Sequence, residues 1–183
     1  MKHIHFKEID STNSYLKKHY QELDHMTVVS ADYQTKGRGQ GNHVWYGDKD
    51  SLMFSILLKE GINDIDIKEM PFLAAGWLKD ALSEYCEDIT IKNPNDLMIH
   101  GKKVAGILAE SIIMGNEVLA VIIGFGINVN QKKFPPELEG NAISLFLALG
   151  KYGEKNHLIS KIVDKIILQS KAFNSWFKKR FWF

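Results

Sequence analysis

The chain has 183 residues, 45% hydrophobic and 25% charged, which fits one globular domain, residues 1–183, with a core large enough to fold unaided. A net charge of +1, with basic residues massed only at Lys178-Lys179-Arg180, excludes the footprint of a nucleic-acid binder. The single cysteine, Cys86, excludes a disulfide framework and a cysteine metal cluster, and no apolar run approaches the roughly 20 residues a bilayer span requires; a cytoplasmic protein without membrane or nucleic-acid partners is expected.

From the N-terminus, residues 3–7 alternate Ile4 and Phe6 with polar neighbours, the period-2 signature of a strand. "DSTN" (10–13) then supplies helix-capping side chains, so Asp10 or Ser11 caps a helix predicted to end near Leu23. Residues 26–31 read as a strand entering the glycine-rich "GRGQGNHVW" (37–45), and a further strand starts at Ser51. Apolar residues recur at three and four positions over 67–85 (Met70, Leu73, Ala74, Trp77, Leu78, Ala81, Leu82, Tyr85) and 158–177 (Leu158, Ile159, Ile162, Val163, Ile166, Ile167), predicting two amphipathic helices, with Pro71 tolerated in the first turn of the former. Residues 89–91, 104–113 and 117–129 read as strands, the last two forming a hairpin through Met114-Gly115-Asn116, while 150–155 is the loosest segment. Adjacent antiparallel strands with two long helices predict an α+β fold, a mixed, largely antiparallel sheet covered by helices mainly on one side. A Rossmann pattern is excluded because no helix follows the glycine stretch.

Glycine N–H groups in 37–41 can approach an anion closely, and Arg38 among them suits phosphate or carboxylate; a mobile surface loop is the equally weighted alternative. "KNPND" (92–96) is turn chemistry by itself. Lys103, the last polar residue before the apolar "VAGIL", needs a partner when it enters a buried strand, and an anionic ligand is a natural one. Gly106 inside a strand marks close approach by a ligand or backbone, and Asn128 in "GFGINVN" (124–130) needs hydrogen-bond partners among apolar neighbours. The seven histidines show no metal-ligand spacing, and no protein-only metal site is expected.

Taken in order, "DSTN" (10–13), "QTKGRGQGNHVW" (34–45), "KNPND" (92–96), "GKKVAGIL" (101–108) and "GFGINVN" (124–130) resemble the catalytic domain of biotin–protein ligases over nearly the whole chain. The resemblance implies the fold shared by class II aminoacyl-tRNA synthetases and biotin ligases. It also implies an enzyme that adenylates biotin with ATP and Mg²⁺, then passes the biotinyl group to a lysine of a biotin carboxyl carrier domain. By the same resemblance Ser11, Thr12 and Gln34, with Asn13 beside them, hold the biotin ureido head. Arg38, Gly39 and Gln40 belong to a loop closing over biotin and its adenylate. Lys103, with Gly106 nearby, reaches the carboxylate and phosphate oxygens, making Arg38 and Lys103 the catalytic pair. Trp45 stacks near adenine, and Asn95, Asp96 and Asn128 surround the nucleotide and its magnesium, which is bound mostly through phosphates and water.

The pattern departs from the family at Gln40 and His43, where arginines often stand, at Asn42 in place of glycine, and at Asn93 in place of tryptophan. A winged helix-turn-helix before Met1 and a small SH3-like domain after Phe183 are expected to be absent, and the aromatics of "WFKKRFWF" (176–183) are expected to pack on the core or a second subunit of a homodimer. Two alternatives stand beside the ligase: a lipoate or octanoate ligase or transferase of the same superfamily, and a degenerate biotin or nucleotide binder without ligase activity.

Overall fold

A computed structural model of the chain describes residues 2–62 and 66–181, with side chains through Leu168. Seven strands form one sheet: β1 (His3–Ile9), β2 (Val28–Gln34), β3 (Ser51–Leu58), β4 (Ile89–Lys92), β5 (Asp96–Ile99), β6 (Lys102–Met114) and β7 (Glu117–Asn128), in the spatial order β1-β2-β3-β7-β6-β5-β4. Only β1 and β2 pair in parallel, joined through helix α1 (Thr12–His19) as a βαβ crossover; every other neighbouring pair is antiparallel. The expected mixed, largely antiparallel α+β sheet is what the chain forms.

Strand alternation divides the sheet into two faces. Leu52, Phe54 and Ile56 of β3 and Val121, Ile123, Phe125 and Ile127 of β7 point into the main core. Against them lie α2 (Met70–Leu82), through Ala74, Trp77, Leu78 and Ala81, and α4 (Lys155–Phe181), through Leu158, Ile159, Ile162, Val163 and Ile166. Among the described residues the opposite face carries only α1, whose Leu16 joins Leu23, Val29, Leu57, Ala120 and Ile122 in a smaller cluster. Beyond that cluster this face is open, and the cavity described below lies there.

Several elements differ from the sequence expectations. Helix α1 stops at His19, four residues short of the predicted end, because the chain turns there to bring Leu23 into the small cluster before β2. The first turn of the 67–85 segment is 3₁₀ (Ile67–Glu69), and Tyr85 falls outside the buried face. Strand β5 and the one-and-a-half-turn helix α3 (Leu145–Leu149), capped by the Ser144 hydroxyl and ended by Gly150 at φ 68°, have no periodic signal, since each is too short to repeat a pattern. The 150–155 segment is anchored: Asn130 Nδ2 donates to the Gly153 carbonyl at 3.0 Å, and the Gly153 N–H donates to Asn130 Oδ1 at 2.8 Å. The predicted packing of the 176–183 aromatics lies outside the residues whose side chains are described.

Candidate functional site

On the open face glycine interrupts both β6 and β7 where the two strands pair. Gly106, Leu108 and Glu110 alternate along β6, and Gly124, Gly126 and Asn128 along β7; the register pairs Gly106 with Gly126 and Leu108 with Gly124. Asn13 from the first turn of α1 and Trp45 from the 37–45 segment lie over the two β7 glycines of this strip. A Cβ on Gly124 would overlap the Asn13 carboxamide, and one on Gly126 would overlap the Trp45 indole, so both positions need glycine for this approach. Over the strip opens a cavity of about 310 Å³, within the roughly 300–1,000 Å³ typical of small-molecule sites.

At one end the lining is neutral and buried. Ser11, the N-cap of α1, and Thr12 and Asn13 of its first turn are each 3% exposed. Ser55 of β3, fully buried, donates to Asn13 Oδ1 at 2.6 Å, because a carboxamide oxygen can only accept. Its 2.6 Å contact with Thr12 Oγ1 is therefore supplied by the threonine proton. Gln34, closing β2, turns its Oε1 to the Thr12 N–H at 2.7 Å. Thr12 is left with lone pairs and Gln34 with N–H donors for whatever enters. A ligand carrying a carbonyl beside an N–H matches that arrangement.

At the other end the groups are charged and more accessible. Glycine supplies the tight approach within "GRGQGNHVW", but the segment is not a free loop. It folds back on itself as a short ribbon, with the Gly39 N–H on the His43 carbonyl at 2.7 Å and the Trp45 N–H on the Gly37 carbonyl at 3.1 Å. From this ribbon Arg38 reaches Glu110, Nη2 to Oε2 2.7 Å. Trp45 lies over Gly106 and Gly126, its indole nitrogen buried without a hydrogen-bond partner.

Lys103 lines the cavity because of a bulge. Between β5 and β6 the register passes from Leu97–Ala105 to Met98–Lys103, leaving Val104 unpaired. Simple alternation would place Lys103 on the core face with Ala105 and Ile107; the extra residue re-aims it toward Gly106, whose Cβ would sit 3.1 Å from the lysine Cε. From its place in the sequence an anionic ligand is the expected partner of Lys103. The structure provides Asp96 at 2.6 Å, a carboxylate from the start of β5.

Of the residues singled out in the sequence, Ser11, Thr12, Asn13, Gln34, Arg38, Gly39, Gln40, Trp45, Asn95, Asp96, Lys103 and Gly106 line this one cavity. Asn128 is not among the lining residues: its Nδ2 donates to the Lys103 carbonyl at 3.3 Å and its Oδ1 accepts from Gln131, so it braces the strand ends. Asn95 braces as well as lines, donating to the Ile107 carbonyl at 2.8 Å. Two further residues, Ser55 and Glu110, belong to the site's hydrogen-bond network. Ser55 carried a signal, one hydroxyl inside the otherwise apolar "SLMFSILL", and Glu110 carried one in its even spacing from Gly106.

The histidine pair at 3 and 5 lies elsewhere, on the edge strand. His3 Nε2 and His5 Nδ1 share the Ser30 hydroxyl at 2.8 and 2.9 Å, and partial burial, then the neighbouring His5, holds His3 below the usual histidine pKa. Among the described residues no three His, Cys, Asp or Glu side chains converge as a metal cage, and no helix is long and apolar enough to cross a membrane.

Comparison with known proteins gives a consistent result. Residues 5–128 match the model of the biotin/lipoate A/B protein ligase family. The bifunctional ligase/repressor BirA of Bacillus subtilis is 38% identical over 141 residues, covering 75% of this chain and 43% of that protein. The biotin–[acetyl-CoA-carboxylase] ligase of Paracoccus denitrificans is 35% identical over 66% of this chain and 51% of its own length. Among solved structures, the biotin protein ligase of Aquifex aeolicus in complex with biotin and ATP superposes with a TM-score of 0.81 at 32% identity, over 94% of this chain and 71% of that one. The chain thus spans about half or less of the length of these curated relatives.

Proposed function

The chain belongs to the biotin/lipoate A/B protein ligase family, and on that premise we propose that it adenylates biotin with ATP and transfers the biotinyl group to a lysine of a biotin carboxyl carrier domain. The observation that carries the choice of biotin is the wiring of the neutral end. Thr12 presents an acceptor and Gln34 a donor, the complement of a ureido group's N–H and C=O. A lipoyl dithiolane or an octanoyl tail offers neither, and would cover the buried Thr12 hydroxyl and the half-buried Gln34 amide without pairing them, at about 1–3 kcal/mol for each polar group left unpaired. The relatives named above as biotin ligases, and the Aquifex protein bound to biotin and ATP, support the same reading.

With the ureido head between Thr12 and Gln34, the valeryl chain runs along Gly124 and Leu108 toward Arg38 and Lys103. There a carboxylate must approach an α-phosphate of like charge. Two anions 4 Å apart repel by about 4 kcal/mol in a partly screened site, and the guanidinium and ammonium offset that repulsion while holding both groups in line. The carboxylate oxygen attacks phosphorus and pyrophosphate leaves; the carrier lysine amine then attacks the acyl carbon, AMP leaves and the amine loses a proton. Before ligands arrive Lys103 is held by Asp96, and in the complex it trades that partner for ligand oxygens. Trp45 and Asn95 form the nucleotide side of the cavity, and Gly39 and Gln40 the closing ribbon that excludes water from the adenylate.

Asp96 is the one carboxylate among the described lining residues, a donor set that suits magnesium arriving on nucleotide phosphates with its own waters and not a resident ion. Bound there, magnesium would neutralise phosphate charge. A cytoplasmic homodimer is part of the same reading.

The deciding experiment supplies the purified chain with ATP, Mg²⁺, radiolabelled biotin and a carrier domain. Label on the carrier lysine is expected, together with biotin-dependent exchange of pyrophosphate into ATP. Calorimetric biotin binding with neither activity would make the chain a binder, and preferential use of lipoate or octanoate would move it to the other branch of the superfamily.

A further inference from the structure

Glu110 has no part in the chemistry above, yet it touches both the 37–45 ribbon, at Arg38, and helix α1, at Asn13 and Lys17. It stands on the open face of β6, two residues beyond Leu108, with a side chain only 16% exposed. Its Oε2 accepts from Arg38 Nη2 at 2.7 Å and from Asn13 Nδ2 at 2.9 Å, and its Oε1 lies 3.6 Å from Lys17 Nζ. Asn13 is in turn held through Ser55 to Thr12, and Thr12 to Gln34. One unbroken hydrogen-bonded line therefore runs from Gln34 at the neutral end to Arg38 at the charged end.

We propose that Glu110 is a positioning residue, which sets Arg38 over the cavity and registers it against the end that holds the ligand head; this rests on the ligase reading above. The geometry separates positioning from competition. Glu110 engages a single nitrogen of the guanidinium, and Ser14 Oγ at 3.4 Å approaches the same one, so Nε and Nη1 remain for a ligand anion. Lys17 shares the carboxylate charge, and the Arg38–Glu110–Lys17 cluster keeps a formal charge of +1. Arg38 otherwise projects from an exposed ribbon, where ordering it when the ligand arrives would reduce affinity. Glu110 orders it beforehand. Because it does not line the cavity, it acts through Arg38 and Asn13 and not on the substrate.

The test compares wild type, E110A, E110Q, R38A and the E110A/R38A double variant. Amide hydrogen exchange of residues 37–45 is followed in the free protein, alongside biotin-dependent pyrophosphate exchange. E110A is expected to speed amide exchange of the ribbon about tenfold and to lower kcat/KM for adenylation about tenfold, as for one charge-assisted hydrogen bond lost. E110Q, which keeps the shape and an acceptor oxygen, should fall between E110A and wild type, and it carries the test alone if E110A does not fold. In the R38A background the E110A loss should shrink to the part carried through Asn13; a purely structural role would repeat the full loss there. Unchanged ribbon exchange in E110A or E110Q, or the full loss recurring in R38A, would overturn the proposal. A wild type inactive with biotin would sink the ligase reading, and ribbon exchange would still decide for or against Glu110.

Discussion

The two ends of the cavity are built on opposite physical terms. At the neutral end Thr12, Asn13 and Ser55 are at most 3% exposed and each is committed to a fixed protein partner. At the other end Arg38 and Lys103 keep 44% and 37% of their side chains accessible and pair with carboxylates. A buried hydroxyl that loses its partner has no water to turn to, so the first network tolerates one arrangement and one class of ligand. Exposed ion pairs are individually weak, so Lys103 can exchange Asp96 for ligand oxygens at little cost, while Arg38 keeps Glu110 on Nη2 and has Nε and Nη1 for a ligand. On the proposed ligase reading, the buried end would select the ligand and the accessible end would handle charge.

That division has measurable consequences of decreasing size. Lys103→Ala should lower kcat/KM for biotin adenylation by about 10²–10³-fold, as for loss of a group aimed at developing charge, while the denaturant midpoint barely moves. An equal loss of stability would erase the distinction between the ends. Ser55→Ala should do the reverse in emphasis. It strips Asn13 Oδ1 of its donor and leaves the Thr12 hydroxyl only the longer 3.1 Å contact with Gln34 Oε1, with an expected loss of about 1–3 kcal/mol in urea unfolding and weaker biotin binding by calorimetry. Gly126→Ala, which puts a methyl into the Trp45 indole, should lift that ring from the strip and raise the KM for ATP more than that for biotin, with about 1–3 kcal/mol of overpacking seen in unfolding.

The smallest effect sets the background for the others. His25 accepts from the Lys59 N–H at 3.1 Å and is held below the usual histidine value of 6.5, first by burial, with Glu60 opposing and Lys59 adding to the shift. The folded state thus binds fewer protons than the unfolded state. Its contribution is complete above pH 6.5 and is lost as pH falls through the lower folded pKa. Thermal melts between pH 7.5 and 5.5, an interval of about one unit either side of the ordinary histidine value, should show Tm falling on acidification, less steeply in His25→Asn. Since His25 is remote from both ends of the cavity, the difference between the two slopes should be the same with and without biotin.

Much of this architecture is legible in the sequence. Both long amphipathic helices carry their buried faces at the expected spacing, and the strands of the β6–β7 hairpin fall where alternation and the Gly115-Asn116 turn place them. The short elements are not legible, because four or five residues cannot establish a period, and the parallel pairing of β1 with β2 depends on the path of α1 and not on either strand's composition. Asn128 illustrates a residue whose demand for partners was readable while their identity was not.

By itself, the sequence determined which residues share a face. Period-2 alternation places Gly106 with Glu110 and Gly124 with Gly126, and hence a bare strip on the sheet, since backbone geometry alone sets that parity. The tertiary structure decided everything that crosses between strands: the unpaired Val104 that turns Lys103 to the cavity, Ser55 as the link between Thr12 and Asn13, and Glu110 as the anchor of an arginine 72 residues away. Contacts between such distant positions follow from strand order and register, which arise from packing the whole core and leave no local periodicity to read.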